Sequence, residues 1–143
     1  MVLRPEAIRD RLLKLEEVIS RLEELCPPDP KMLRENFQHA WAAERGLQLA
    51  AEVVFDVGNH ILSAQFGTSA QDYEDIIVQL GARGVIDDSL RSRFKGLGGF
   101  RNILVHGYLR VDIDRVAEVL ARAPSDFADF ARAVREWLAR TIE

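Results

Sequence analysis

The sequence predicts an all-α protein, one bundle with four or five main helices. Three observations carry this. Apolar residues recur at spacings of three and four in nearly every segment, which is the period of one face of a helix. Between those segments stand prolines, glycines and capping aspartates or serines, the residues that start and stop helices. No alternating apolar–polar run exceeds a few residues; "HGYLRVDI" is the one short piece with extended character, and a single strand makes no sheet.

From Pro5 to Leu25 the residues Ile8, Leu12, Leu15, Ile19 and Leu22 form one apolar face. Pro5 suits a first helical turn, and "CPPDP" (Cys26 to Pro30) ends the helix, because proline cannot continue the hydrogen-bond ladder. A second, long helix is expected from about Lys31 to Ala64. Its middle, "AAERGLQLAAEVVFDVGNHILSA", is apolar almost all round, as in a central helix packed on several sides. "FGTS" breaks it, and Ser69 or Thr68 is placed to cap "AQDYEDIIVQLGARG", which Gly81 and Gly84 close. The pair Asp87–Asp88 caps "SLRSRFKGL". Asp112 caps "IDRVAEVLAR", Pro124 is expected to interrupt it and Ser125 to recap a last amphipathic helix, whose Phe127, Phe130, Val134, Trp137 and Leu138 have core spacing.

At 143 residues the chain fits one domain over 1–143 with one real hydrophobic core. Nearly half the residues are apolar and charges of both signs are plentiful, a globular rather than a disordered composition. No apolar run approaches the roughly 20 residues that span a bilayer. "MVLRPEAIRD" lacks an apolar signal-peptide core, so the expected location is the cytoplasm, with no membrane partner. Cys26 is alone, which excludes an intrachain disulfide, and no zinc-ligand spacing surrounds it. The net charge of -4 argues against a protein that coats nucleic acid without specificity. It leaves room for a local basic cleft: Arg91, Arg93, Lys95, Arg101, Arg110 and Arg115 share one stretch in which the only acids are Asp112 and Asp114.

That stretch contains "GGFRNILVHGYLRVD", Gly98 to Asp112. On a helical wheel at about 100° per residue, Tyr108 returns close to Arg101, and Asn102 stacks on His106 four residues on. Arg101, Asn102, Val105, His106 and Tyr108 then share roughly half the surface, and Phe100, Ile103, Leu104 and Gly107 turn inward. Such a group has what metal-free phosphodiester chemistry requires. Histidine titrates near neutrality and can move a proton to or from a ribose hydroxyl. Arginine offers a planar fork to a non-bridging phosphate oxygen, tyrosine can donate a hydrogen bond or stack on a base, and asparagine can orient either. RNA supplies its own nucleophile, the 2′-OH, so no metal or cofactor is called for. From periodicity alone, surface residues or satisfied hydrogen-bonders are the commoner explanation of such a group.

The form Arg101, four residues, His106, one residue, Tyr108 resembles the signature of the HEPN ribonuclease superfamily in the variant of the HepT toxins. The similarity extends to "AAERGLQLAAEVVFDVGNHIL" (Ala42 to Leu62), to "GGFRNILVHGYLRVDIDRV" (Gly98 to Val116) and to "ARAPSDFADFARAV" near the C-terminus. The resemblance implies an antiparallel helical bundle that forms a homodimer, with the Arg/His motifs of two protomers facing one cleft. It implies a metal-independent endoribonuclease toxin of a type VII-like toxin–antitoxin pair, attacking RNA through the 2′-OH and leaving a cyclic phosphate. Arg101 and His106 would be catalytic and Asn102 would orient groups. A cognate minimal nucleotidyltransferase, the antitoxin, would transfer AMP units from ATP to Tyr108, and the added phosphates would occupy the place of the RNA phosphate.

Glu44, Gln48, Glu52, Asp56 and His60 follow one another at steps of four on the long helix. Buried carboxylates cost several kcal/mol unless paired, so the stripe reads as a structural ion-pair network or a solvated face. The functional alternative is that it faces the cleft, with Gln48, Glu52 and Asp56 as a supporting layer around Arg101. "GLGG" lacks the preceding strand and following Lys-Ser/Thr of a phosphate loop. Two other functions fit the same residues: a non-catalytic helical module that binds nucleotide or presents it to a nucleotidyltransferase, and a purely structural dimerisation domain.

Overall fold

Two long helices set the frame in the computed structural model, which describes residues 2–142. They are α3 (Phe37–Phe66) and α7 (Ile113–Thr141). Against them lie α1 (Pro5–Glu23), α4 (Tyr73–Ala82) and α6 (Leu97–His106), with two six-residue helices, α2 (Pro30–Glu35) and α5 (Asp88–Arg93), and a 3-10 turn, Tyr108–Arg110. The result is an antiparallel all-α bundle with five main helices and no strand among the described residues. No helix among them is long and apolar enough to cross a membrane. Of the expected 1–143 span, Met1 and Glu143 lie outside the described residues.

The core follows the predicted faces. Ile8, Leu12, Leu15 and Leu22 of α1 meet α3 and α7. Phe127, Phe130, Val134, Trp137 and Leu138 of α7 are all buried. Helix α3 touches α1, α2, α4, α6 and α7, which accounts for its apolar sequence. Burial of a single large apolar side chain contributes about 1.5–3 kcal/mol, so these faces dominate the stability of the bundle.

Three helix ends differ from expectation. The helix expected from Lys31 is two helices, because Asn36 is extended (φ -124°, ψ 96°) and its side chain accepts the N–H of His39 at 3.2 Å. That local bond competes with the helical ladder and starts α3 afresh. The cap of α4 is Asp72, which accepts the N–H of Asp75 at 2.8 Å, rather than Thr68 or Ser69. Thr68 instead donates to the Leu62 carbonyl at the end of α3, where Gly67 takes a left-handed φ of 62°.

The third difference is at Pro124. Helix α7 continues through it without a break, and Ser125 caps nothing. Proline has no N–H to give the carbonyl of Leu120; the Cys26 thiol donates to that carbonyl at 3.7 Å. Leu120, Ala123 and Phe127 stay buried on one face across the proline, so packing holds together what local propensity would break.

Candidate active site

Helix α6 is set in place by α4. Its N-cap, Gly96, has φ 87°, a conformation natural to glycine. The Glu74 carboxylate accepts the N–H of Gly96 at 3.0 Å and of Gly98 at 2.8 Å, placing negative charge at the positive end of the helix. Gly98 lies so close to α4 that a Cβ there would come within 2.8 Å of Tyr73 Cβ, whereas Gly99 faces open space. Phe100 is buried and Leu104 is half-buried against the core. Ile103, expected to turn inward, is 39% exposed.

Arg101 does not lie on the open face that the wheel assigned to it. Its side chain, 14% exposed, turns into a niche between α3 and α4. There Nε donates to Glu52 at 2.5 Å, and one terminal nitrogen donates to the Asn102 side-chain oxygen at 3.1 Å. The guanidinium lies over the Tyr73 ring at 4.9 Å, within cation–π range. Tyr73 is itself stacked on Phe55, ring centroids 4.6 Å apart. Arginine has five N–H donors, so three remain for a ligand. The Glu52 hydrogen bond raises the Arg101 pKa above its already high ordinary value, and burial opposes it only in part.

His106 ends α6 and is exposed. Gly107 stops the helix, as the sequence allowed, and Tyr108 opens the 3-10 turn at 75% exposure. His106, Tyr108 and Arg110 line one shallow depression together with Asn102, Ile103 and Leu109. Arg101 is not on it; five residues apart on a helix is about 140° of rotation. Asn102 is the link, because it also lines the neighbouring cleft with Asp56, Asn59, Asp72 and Tyr73.

The polar stripe of α3 divides by contact. Glu52 pairs with Arg101. Asp56 has its pKa raised by burial and by Glu52, against the pull of Arg11 and Arg101. Gln48 is half-buried one turn before Glu52 and makes no side-chain hydrogen bond among the described residues. Burial raises the Glu44 pKa. His60 accepts the backbone N–H of Arg4 on Nε2 at 3.1 Å. The basic stretch is less open than its composition: Arg91 pairs with Asp88, Arg93 with Asp126 and Asp129, and Arg115 with Glu118. Tyr73 and Glu74, which fix Arg101 and α6, are absent from the sequence-based candidates, where they stand only as part of the helix "AQDYEDIIVQLGARG".

Comparison with known proteins places this geometry in context. A model of the ribonuclease HepT-like family matches residues 15–134, a span that takes in α6 with Arg101, His106 and Tyr108. The chain is 25% identical over 130 residues to the mRNA nuclease HepT of Shewanella oneidensis, covering 91% of this chain and 97% of that protein. It is 29% identical over 104 residues to the tRNA nuclease HepT of Aphanizomenon flos-aquae, covering 72% and 70%. Its fold matches the tri-AMPylated Shewanella oneidensis HEPN toxin solved in complex with MNT antitoxin, with a TM-score of 0.81 and 24% identity over 93% of this chain and 99% of that one. With the Arg–His–Tyr motif inside the matched span, the chain belongs to the ribonuclease HepT-like family.

Proposed function

We propose that this chain is a metal-independent endoribonuclease, the toxin of a toxin–antitoxin pair, and that residues 1–143 form one such domain acting on RNA in the cytoplasm. The observation that carries it is the state of α6: Arg101 is held by Glu52 and Tyr73 with donors to spare, while His106 stands exposed a little further along. Arg101 binds the non-bridging oxygens of the scissile phosphate and stabilises their growing charge. His106 takes the proton of the 2′-OH, the 2′-oxygen bonds to phosphorus, and the 5′-oxygen leaves with a proton from an acid. The products are a 2′,3′-cyclic phosphate and a 5′-hydroxyl. Asn102 bridges the two sides of the site.

A homodimer fits this chemistry. His106 lines a depression that Arg101, held in its niche by Glu52 and Tyr73, does not reach, and beside His106 the residues Ile103, Tyr108 and Leu109 leave apolar surface exposed. Pairing two α6 ends in one cleft covers that surface, and the second copy's His106 supplies the acid. The exposure of Tyr108 suits modification by a cognate minimal nucleotidyltransferase: its phenolic oxygen attacks the α-phosphate of ATP, pyrophosphate leaves, and the added phosphate lies beside His106 and Arg110. The relatives are nucleases by name, and the matched Shewanella toxin is AMPylated and bound to an MNT antitoxin.

The test is direct. Unmodified protein cleaves RNA in EDTA, and His106→Ala is inactive while folding normally. Co-expression with the nucleotidyltransferase adds AMP-sized increments to the intact mass, lost in Tyr108→Phe. A mixed RNA pool left intact by the unmodified protein overturns the nuclease. One observation favours a non-catalytic nucleotide-binding module instead, namely that Glu52 already balances the charge of Arg101; that reading predicts ligand binding with no cleavage.

A further inference from the structure

Between α1 and α3 lies a cleft of about 430 Å³, lined by Arg4, Ile8, Arg11, Asn59, His60 and Ser63 among others. That volume is in the range of ligand-sized sites. Arg4, the extended residue just before α1, and Arg11, within it, line the same cleft, and neither forms an ion pair among the described residues. This sets them apart from Arg34, Arg93, Arg101, Arg115 and Arg135, each of which meets a carboxylate. Arg11 spends one donor on the Ala7 carbonyl at 3.1 Å and keeps four. Two free guanidinium groups over a pocket with serine, asparagine and histidine are the makings of an anion site.

The cleft is joined to the candidate active site. Asp56 and Asn59 line both it and the neighbouring cleft that holds Tyr73 and Asn102. Asn102 in turn lines the depression of His106 and Tyr108. Three depressions thus form one track across α3, from Tyr108 to Arg4. Asp56 lies between the two cationic ends and is under the influence of both Arg11 and Arg101. Glu52, which holds Arg101, and His60, on the far cleft, are eight residues apart, about 12 Å along the helix. A free mononucleotide has no use for such continuity; a single strand of RNA does. The carboxylate of Asp56 and the amide of Asn59, midway, can accept and donate to base edges.

We propose that the α1–α3 cleft is a second backbone subsite, in which Arg4 and Arg11 hold a phosphate of the RNA strand beyond the linkage cut near Arg101 and His106. The subsite rests on the nuclease reading and extends it: a strand long enough to reach both ends binds better than a short one.

The experiment compares wild type with Arg4→Ala/Arg11→Ala on two substrates, a single-stranded RNA of about 12 nucleotides and a dinucleoside monophosphate too short to reach α1. On the long RNA the variant raises KM about tenfold, and log KM varies less steeply with log salt, the slope falling by about 0.7 for one lost phosphate contact on a single strand. Cleavage of the dinucleotide stays within twofold of wild type, and so does kcat on both. An unchanged KM on the long RNA overturns the subsite, as does an equal loss on both substrates. If wild type cuts neither substrate, it is the nuclease reading that falls. The subsite is then judged by fluorescence anisotropy with the labelled long RNA, where a fivefold or greater loss of affinity sustains it and unchanged affinity overturns it. Should the double variant unfold, Arg11→Gln alone carries the same comparison with a smaller effect.

Discussion

Glu52 of α3 and Arg101 of α6 are joined through Oε1 and Nε at 2.5 Å, two residues 49 apart in the chain. Taking Nε leaves the outer edge of the guanidinium for a ligand, and the Tyr73 ring beneath keeps the plane from turning. An arginine fixed in this way spends little conformational entropy on binding a phosphate. Under the proposed nuclease reading, Glu52 is a positioning residue that acts on RNA through Arg101.

Glu52→Gln tests this. The amide keeps a hydrogen-bond acceptor but drops the charge that fixes the guanidinium. We expect kcat for RNA cleavage to fall about 10- to 100-fold, since small misplacements of a catalytic group have effects of that order, with KM moving less than threefold. The loss of stability is about 1 kcal/mol, because the pair is partly screened by solvent. A kcat within twofold of wild type would remove Glu52 from the site.

The two adjacent glycines of α6 separate packing from propensity. Gly98→Ala puts a methyl 2.8 Å from Tyr73 Cβ and 3.1 Å from Glu74 Oε1. Overpacking of this kind costs about 1–3 kcal/mol and pushes α6 off the carboxylate that caps it, so both unfolding midpoint and cleavage rate should drop. Gly99→Ala meets nothing and gains helix propensity of up to about 1 kcal/mol. Circular-dichroism melts of the two variants decide the matter; equal behaviour would show that α4 does not constrain α6.

How far the site could be read in the sequence depends on what kind of contact makes it. His106 and Tyr108 stand exposed beside each other because helix spacing and a stop at Gly107 are local properties. Glu52 was a candidate for the layer around Arg101 from its place in the polar stripe of α3, and it pairs with Arg101; the Tyr73 side of the niche was not legible, because a helical wheel gives directions and not neighbours, and Tyr73 comes from an element 28 residues away. The break at Asn36 was hidden because apolar spacing continues across it. The expected break at Pro124 failed for the opposite reason, since burial of Leu120, Ala123 and Phe127 outweighs one missing hydrogen bond.

Pro124 gives a stability prediction. Pro124→Ala restores an N–H able to meet the Leu120 carbonyl, now approached only by the Cys26 thiol among the bonds of the described residues. Removing a proline from a helix interior can gain up to about 3 kcal/mol, but packing has adapted to it here, and we expect about 1 kcal/mol, a rise of about 4 °C in unfolding midpoint. A fall in midpoint would mean that the ring's own packing outweighs the ladder.

Asp56 makes the pH dependence informative. Burial, with Glu52 beside it, holds its pKa above the ordinary carboxylate value. A carboxyl that keeps its proton more firmly when folded favours the native state at pH below its unfolded pKa, about 3.9. That advantage is lost as pH rises through the folded value, so at neutral pH the charge is a net burden on the fold. Asp56→Asn carries no charge at any pH and imitates the protonated form. It should raise the unfolding midpoint at neutral pH by about 2 °C, the modest size expected for a largely exposed group, and the gain should vanish as pH approaches 4. The pull of Arg11 and Arg101 acts in the other direction. A variant less stable than wild type at neutral pH would show that those two arginines, and not burial, govern Asp56.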